Sequence, residues 1–446
     1  MLNKSEISDR ALNFGGKFES LPTLIEFITK DADQFDIKIQ EYFHNISYFD
    51  IGQGLLGNLF FLGEMDYLYP NDKFAYFSKE ILKIGVNRAS ILQVNEPSLM
   101  SGLAGICLAI KSVSKNYTRY ENLIKEINDI LKELISEKIK SANHNLNIHD
   151  VHMTDYDLME GIAGIIVYLL DEKERDHDLK LLFNDAVEYL IKLSGEFKYG
   201  EINIPNWYIP SKNQFLKSET KAFPEGNFNL SISHGITGVL STLVMCIEDY
   251  KDVDSIKNAI SYLSDWLIEN VNEEEESLYW KKKLSLTSYK KAEPIYNDSL
   301  NFSWCYGDLS VARILWKAGK ALNNKYYEKF ALKVFSGSYK QMKNYSLISS
   351  TYCHGLAGIL HILIEMNKDT NLPLFKQMED FFLNELLENF DTNSEFGFYD
   401  IELYLNEENK FNKPGLLSGN TGIYLVLLYY LNRKTYTGWE KIFLIN

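Results

Sequence analysis

Five positions stand out as able to do chemistry: Cys305 in the run WCYG, the adjacent Cys353 and His354 in CHG, His234 in SHG, and Asp157 in YDLMEG. Two thiols and one imidazole are donors that zinc prefers. Three protein ligands leave one of its four tetrahedral positions open, which marks a catalytic rather than a structural centre. The Cys353–His354 pair lacks the spacing of a CxxC knuckle and is weak by itself. It gains weight from Cys305, which holds the equivalent place before a glycine earlier in the chain. The alternative is a pair of buried loop thiols and a hydrogen-bonded histidine.

His234 has a side chain whose ordinary pKa suits either acid or base work at neutral pH; it could equally cap a helix. Asp157 could orient or polarise a reacting group, or sit at a helix start where a carboxylate favours the macrodipole. Asp308 reads as another helix-start carboxylate. Trp304 and Tyr306 flank Cys305 and are either core aromatics or the wall and a hydrogen-bond donor of a pocket. His149 and His152, in HDVH, read as a solvated pair. His361, inside LHILIE, reads as a core histidine, and Cys107 and Cys246, in apolar runs, as small core residues.

These groups need elements to hold them, and a repeat supplies those elements. A glycine, two residues, a second small residue and then an apolar run recur from Gly54, Gly102, Gly161, Gly235, Gly307, Gly355 and Gly419. The copy from Gly307 carries Ser310 in the second place. Between copies lie more polar stretches such as IKNAISYLSDWLIEN, apolar at every third or fourth residue, as an amphipathic helix requires. The pattern predicts seven helical hairpins, each with an apolar inner and an amphipathic outer helix. Glycine costs a helix about 0.5–1 kcal/mol relative to alanine. Its paired recurrence implies that a neighbouring backbone or a ligand approaches closely there. The candidate residues all lie just before the repeat glycines, so equivalent inner helices would gather them at one end.

The fold class expected is all-α, an α/α toroid in one domain spanning residues 1–446. Inserted segments richer in β-branched residues, Pro and Gly are expected at about 195–227 and 273–302. Hydrophobic content of 46% is enough for a large core and argues against disorder. A net charge of −15 argues against nucleic acid, whose phosphates demand basic patches. Four cysteines make no disulfide framework. The N-terminal MLNKSEISDR has no apolar signal region, and the apolar runs fall short of the roughly 18–20 residues of a membrane span. The expectation is a soluble, cytoplasmic protein.

WCYG at 304–307, CHG at 353–355, SHGxxG ending at Gly238 and the seven repeats together resemble the lanthionine synthetase C-like family. In particular they resemble the stand-alone cyclases of class I lantibiotic biosynthesis, the nisin and subtilin type. The resemblance covers roughly residues 40–430. It implies a toroid of two nested helical barrels with a small β-containing extension. It also implies one zinc ion on Cys305, Cys353 and His354, with His234, Asp157 and Tyr306 in catalytic roles. The reaction implied is addition of cysteine thiols of a dehydrated precursor peptide to dehydroalanine or dehydrobutyrine, giving thioether rings. The partners implied are that peptide, a dehydratase and an ABC transporter at the membrane.

Two departures stand out. Asn301 occupies the place where family members often carry Arg, and Leu309–Ser310 replace a Pro-Gly, which bears on the local helix start. Other zinc-dependent S-alkylation, and glutathione or peptide binding without turnover, are the rival readings. A glycosidase would need paired carboxylates, for which only Asp157 and Glu160 offer themselves.

Overall fold

The structure is a computed structural model that describes residues 4–30, 44–274, 277–291, 301–341, 349–404 and 407–446. It is overwhelmingly helical. Each repeat forms an inner helix: Asn58–Leu68, Leu103–Ser112, Ile162–Glu172, Ile236–Cys246, Asp308–Leu322, Leu356–Thr370 and Asn420–Asn432. These helices are buried on most faces, as their predominantly apolar composition demands, and the charged residues they carry, such as Glu64, Arg313 and Glu365, are buried with them. The first six are each followed by a longer helix that buries one side only, such as His177–Leu193 and Val253–Glu269. Asp176 and Asp252 cap those two helices by accepting backbone N–H groups of the first turn.

The described residues pack as two compact units. The first takes those within Met1–Glu96, Met100–Asp129 and Ser346–Lys441, and the second those within Pro97–Leu99, Ile130–Tyr345 and Ile442–Asn446.

In the first unit the seventh inner helix has no outer helix after it. The N-terminal helix Lys4–Gly16 takes that place. Its Phe14 stacks on Tyr424 at 4.7 Å and packs against Phe61 at 4.9 Å, and Arg10 lies over the Phe390 ring at 3.8 Å. The seventh hairpin therefore forms from opposite ends of the chain.

In the second unit the carbonyls of Phe443 and Ile445 accept from Trp304 Nε1 at 3.0 Å and from the buried Arg313 Nε at 2.7 Å. Trp304 is a core residue that anchors the loop ahead of Cys305.

The strands are short and antiparallel. Glu196–Tyr199 pairs with Ile202–Pro205, and Asn227–Asn229 with Lys283–Ser285. Asn272–Glu274 pairs with Ser277–Tyr279, and Asp400–Tyr404 with Glu407–Phe411. The first three pairs fall in or beside the two segments expected to carry strands. Residues 275–276 and 292–300 of the second segment lie outside the described residues.

The repeat glycines are explained by their own loops. In six copies the first glycine is the helix N-cap, in extended backbone; in the first copy the N-cap is Gly57. A Cβ at Gly235 would strike the carbonyl of Asn229, and one at Gly238 the carbonyl of Ile232. Each glycine thus lets the loop six residues upstream fold onto the helix start. Ser310 occupies the corresponding second place in its repeat, and there its hydroxyl donates to the Trp304 carbonyl, also six residues back, at 2.7 Å. The departure at Leu309–Ser310 therefore leaves the helix start where the repeat places it, at Asp308.

Candidate active site

The loops that precede the inner helices are tied to one another through their backbones. In the second unit Leu158 N donates to Ser233 O at 3.2 Å, and Ile232 N to Cys305 O at 3.1 Å. In the first unit Cys353 N donates to Leu417 O at 2.8 Å, Leu417 N to Gly52 O at 2.7 Å, and Ile51 N to Met100 O at 2.9 Å. Residues far apart in sequence are set side by side wherever such a ladder runs.

In the second unit the ladder brings Asp157, His234, Cys305 and Tyr306 together. Asp157 is buried, and its Oδ2 lies 2.7 Å from His234 Nδ1. Its Oδ1 accepts the Glu160 backbone N–H at 2.8 Å, which fixes the carboxylate plane. The His234 side chain remains 29% exposed although its Nδ1 edge is held against the buried carboxylate. Burial by itself pulls the His234 pKa down; the Asp157 hydrogen bond and charge, joined by the charge of Cys305, outweigh it and raise the pKa. A histidine held this way carries its Nδ1 proton toward the carboxylate and takes or gives a proton at Nε2.

Tyr306 packs beside His234 with ring centres 6.4 Å apart. Its hydroxyl accepts from Asn229 Nδ2 at 3.3 Å, and burial raises its pKa. Asn301 turns inward, donating from Nδ2 to the Tyr306 carbonyl at 3.2 Å, so it braces the Cys305 loop. Asp308 accepts the backbone N–H groups of Trp280 at 2.8 Å and Asn301 at 2.9 Å, a helix-start carboxylate as expected.

In the first unit Cys353 and His354 stand just before the N-cap Gly355. His354 Nε2 lies 3.0 Å from Oδ1 of the buried Asp400. Lys413 Nζ meets the other Asp400 oxygen at 3.0 Å, and Ser349 Oγ donates to Oδ1 at 3.0 Å. Burial opposes ionisation of Asp400, but the His354 hydrogen bond and the Lys413 charge hold its carboxyl below the usual range.

Cys305 and Cys353 are reduced and partly exposed, whereas Cys107 and Cys246 are buried in helices. Each partly exposed thiol lies two residues before the N-cap of a long inner helix. Among the described residues no three His, Cys, Asp or Glu side chains gather into a group that would hold a metal ion. The donor types nevertheless suit zinc: two thiols outside the core and an imidazole braced at Nε2.

The other histidines behave differently. His361 is fully buried and bonded to the Tyr352 hydroxyl at 2.8 Å. His149 stacks on Phe197 at 3.9 Å, and His152 precedes the short helix Met153–Tyr156.

Asp400 and Lys413 escaped the sequence reading. Asp400 opens the alternating run DIELYL, 46 residues from His354, with no spacing that ties it to CHG.

A family model described as lanthionine synthetase C-like protein matches residues 46–444, so the chain belongs to that family. The chain is 28% identical over 416 residues to the nisin biosynthesis protein NisC of Lactococcus lactis subsp. lactis, covering 90% of this chain and 91% of that one. A solved structure titled nisin cyclase is similar at a TM-score of 0.73 and 25% identity, covering 94% of this chain and 98% of that one. The fold class is therefore the α/α toroid class expected from the repeat.

Proposed function

We infer that the protein is a lanthionine cyclase, adding cysteine thiols of a dehydrated precursor peptide to dehydroalanine or dehydrobutyrine to form lanthionine and methyllanthionine rings. Membership of the family and the likeness to the nisin cyclase support the reaction class. The observation that carries the reading is the Asp157–His234 couple beside Cys305 and Tyr306. An isolated thiol scaffold would have no use for a buried carboxylate aimed at a half-exposed imidazole.

Cys305, Cys353 and His354 are the residues that would hold zinc, which when bound supplies an activated substrate thiolate. The chain's own residues then manage the proton. Addition breaks one S–H bond and the π bond of one C=C and forms one S–Cβ and one Cα–H bond, with no net change of oxidation state. The proton lost from sulfur is matched by one gained at Cα. In this reading His234 Nε2 hands a proton to the enolate carbon, or takes one from the entering thiol. Asp157 keeps Nδ1 protonated and stabilises the imidazolium. Tyr306, fixed by Asn229, walls the imidazole on one side.

A dehydratase that supplies the alkenes and an ABC transporter that exports the product are the further partners this reading implies. Among the described residues no helix is long and apolar enough to cross a membrane.

The test is metal content by elemental analysis, together with ring formation on a dehydrated peptide. Wild type is expected to carry about one zinc per chain, the content of a single three-ligand site, and to cyclise. Cys305→Ala is expected to lose both. Wild type that holds no zinc and forms no thioether would leave a peptide-binding protein without turnover.

A further inference from the structure

His354 is braced from behind by a carboxylate that is itself fully accounted for. Asp400 lies at the first residue of the strand Asp400–Tyr404, and its Cα partner across the hairpin is Phe411. Lys413 follows two residues after Phe411, so the hairpin returns the ammonium to the carboxylate it neutralises. The Lys413 side chain is 14% exposed and Asp400 is 1% exposed, so the pair is shielded from water. Ser349 adds a third contact, donating to the same Oδ1 that meets His354. Desolvating a buried carboxylate is costly and must be offset by pairing and hydrogen bonds. This one has a lysine on one oxygen and an imidazole and a hydroxyl on the other. Its remaining polar task is to hold His354 in one orientation.

The consequence is a choice of atom. With Nε2 donating its proton to Asp400, the nitrogen left to bind a metal is Nδ1. A histidine ligand whose second nitrogen donates to a carboxylate is locked in tautomer and ring angle, and is a stronger donor to the metal. We propose that Asp400, set by Lys413, is the positioning residue of the metal centre: it fixes His354 so that Nδ1 is the ligating atom. The inference rests on the reading of His354 as a zinc ligand. Asp400 itself touches neither metal nor substrate.

Two measurements test it on the full chain. The first is zinc affinity by competition with a chromophoric chelator, in wild type, Asp400→Ala and Asp400→Asn, with the thermal midpoint of each zinc-free protein as a control. Asp400→Ala is expected to weaken zinc binding about 10- to 100-fold. Asp400→Asn can still accept from Nε2 but carries no charge, and should recover part of that loss. Should Asp400→Ala fail to fold, Asp400→Asn carries the comparison. A folded variant that binds zinc within about twofold of wild type, well short of the loss expected of such a brace, overturns the inference.

The second measurement is the long-range proton–nitrogen correlation spectrum of the zinc-loaded wild type. It should show His354 protonated at Nε2 and metal-shifted at Nδ1. The metal shift falling on Nε2 overturns the inference while leaving the zinc site intact. A wild type that binds no zinc overturns the site and this inference together, so the two failures are distinguishable.

Discussion

Replacing Asp157 by Asn keeps the shape of the couple with His234 and removes its charge. The amide oxygen can still accept the Glu160 N–H, now at 2.8 Å, so the loop should hold. What changes is the contact at 2.7 Å to His234 Nδ1, a charge-assisted bond from a buried carboxylate. Such bonds contribute about 1.5–3 kcal/mol, or about 10- to 150-fold in rate if the stabilisation is felt only when the imidazole is charged. Because the His234 ring is 29% exposed, solvent screening moves the expectation into the lower part of that range, on the order of 10- to 50-fold.

The pH dependence has a definite sign. The folded pKa of His234 is raised, so the stability the couple contributes is complete below the unfolded value of about 6.5. It is lost as pH rises through the folded value. The acid form of His234 follows the same course. Wild-type cyclisation that depends on that form should fall at higher pH, and in Asp157→Asn the fall should begin at lower pH. The assay is a time course of ring closure on a dehydrated peptide, reading remaining thiols by alkylation and mass spectrometry across about pH 5.5–8.5, where imidazole titrates. A variant with the wild-type rate and pH profile, and with zinc retained, would refute the role of Asp157 in setting His234 for proton transfer.

Three further outcomes follow from the same structure. Burial pushes the Cys246 thiol pKa up, and Cys107 is equally enclosed, so alkylation of the native zinc-free chain should modify only Cys305 and Cys353; peptide mapping reads this, and saturating zinc should protect both. Gly238→Ala forces a Cβ against the Ile232 carbonyl, and overpacking of this kind costs about 1–3 kcal/mol, visible as a lowered thermal midpoint and as slower cyclisation through a displaced His234. Phe14→Ala removes the ring stacked on Tyr424 and should destabilise the first unit by about 3–5 kcal/mol in urea unfolding; a loss under about 1 kcal/mol would mean that the N-terminal helix does not complete the seventh hairpin.

Much of this protein is legible in its linear sequence, because a local cause repeats. Each inner helix is predominantly apolar and each outer helix is apolar on one side, so helix type and order follow from composition and period alone. The glycine pairs mark the helix starts, and the residues just before them, Asp157, His234, Cys305 and Cys353–His354, stand out as polar exceptions. The donor types at Cys305, Cys353 and His354 already point to zinc. None of this requires knowing which residues touch.

What only the tertiary structure decides is partnership over distance. Asp157 and His234 are 77 residues apart, and their bond depends on backbone ties between loops of successive repeats. The glycines turn out to admit their own upstream loops, because a carbonyl six residues back occupies the space a Cβ would fill. The seventh outer helix comes from the N-terminus, and no pattern after Gly419 could reveal that. Asp400 reaches His354 through a hairpin outside the repeat. Its burial can be tolerated only with Lys413 and Ser349 in place, and those contacts exist only once the chain has folded.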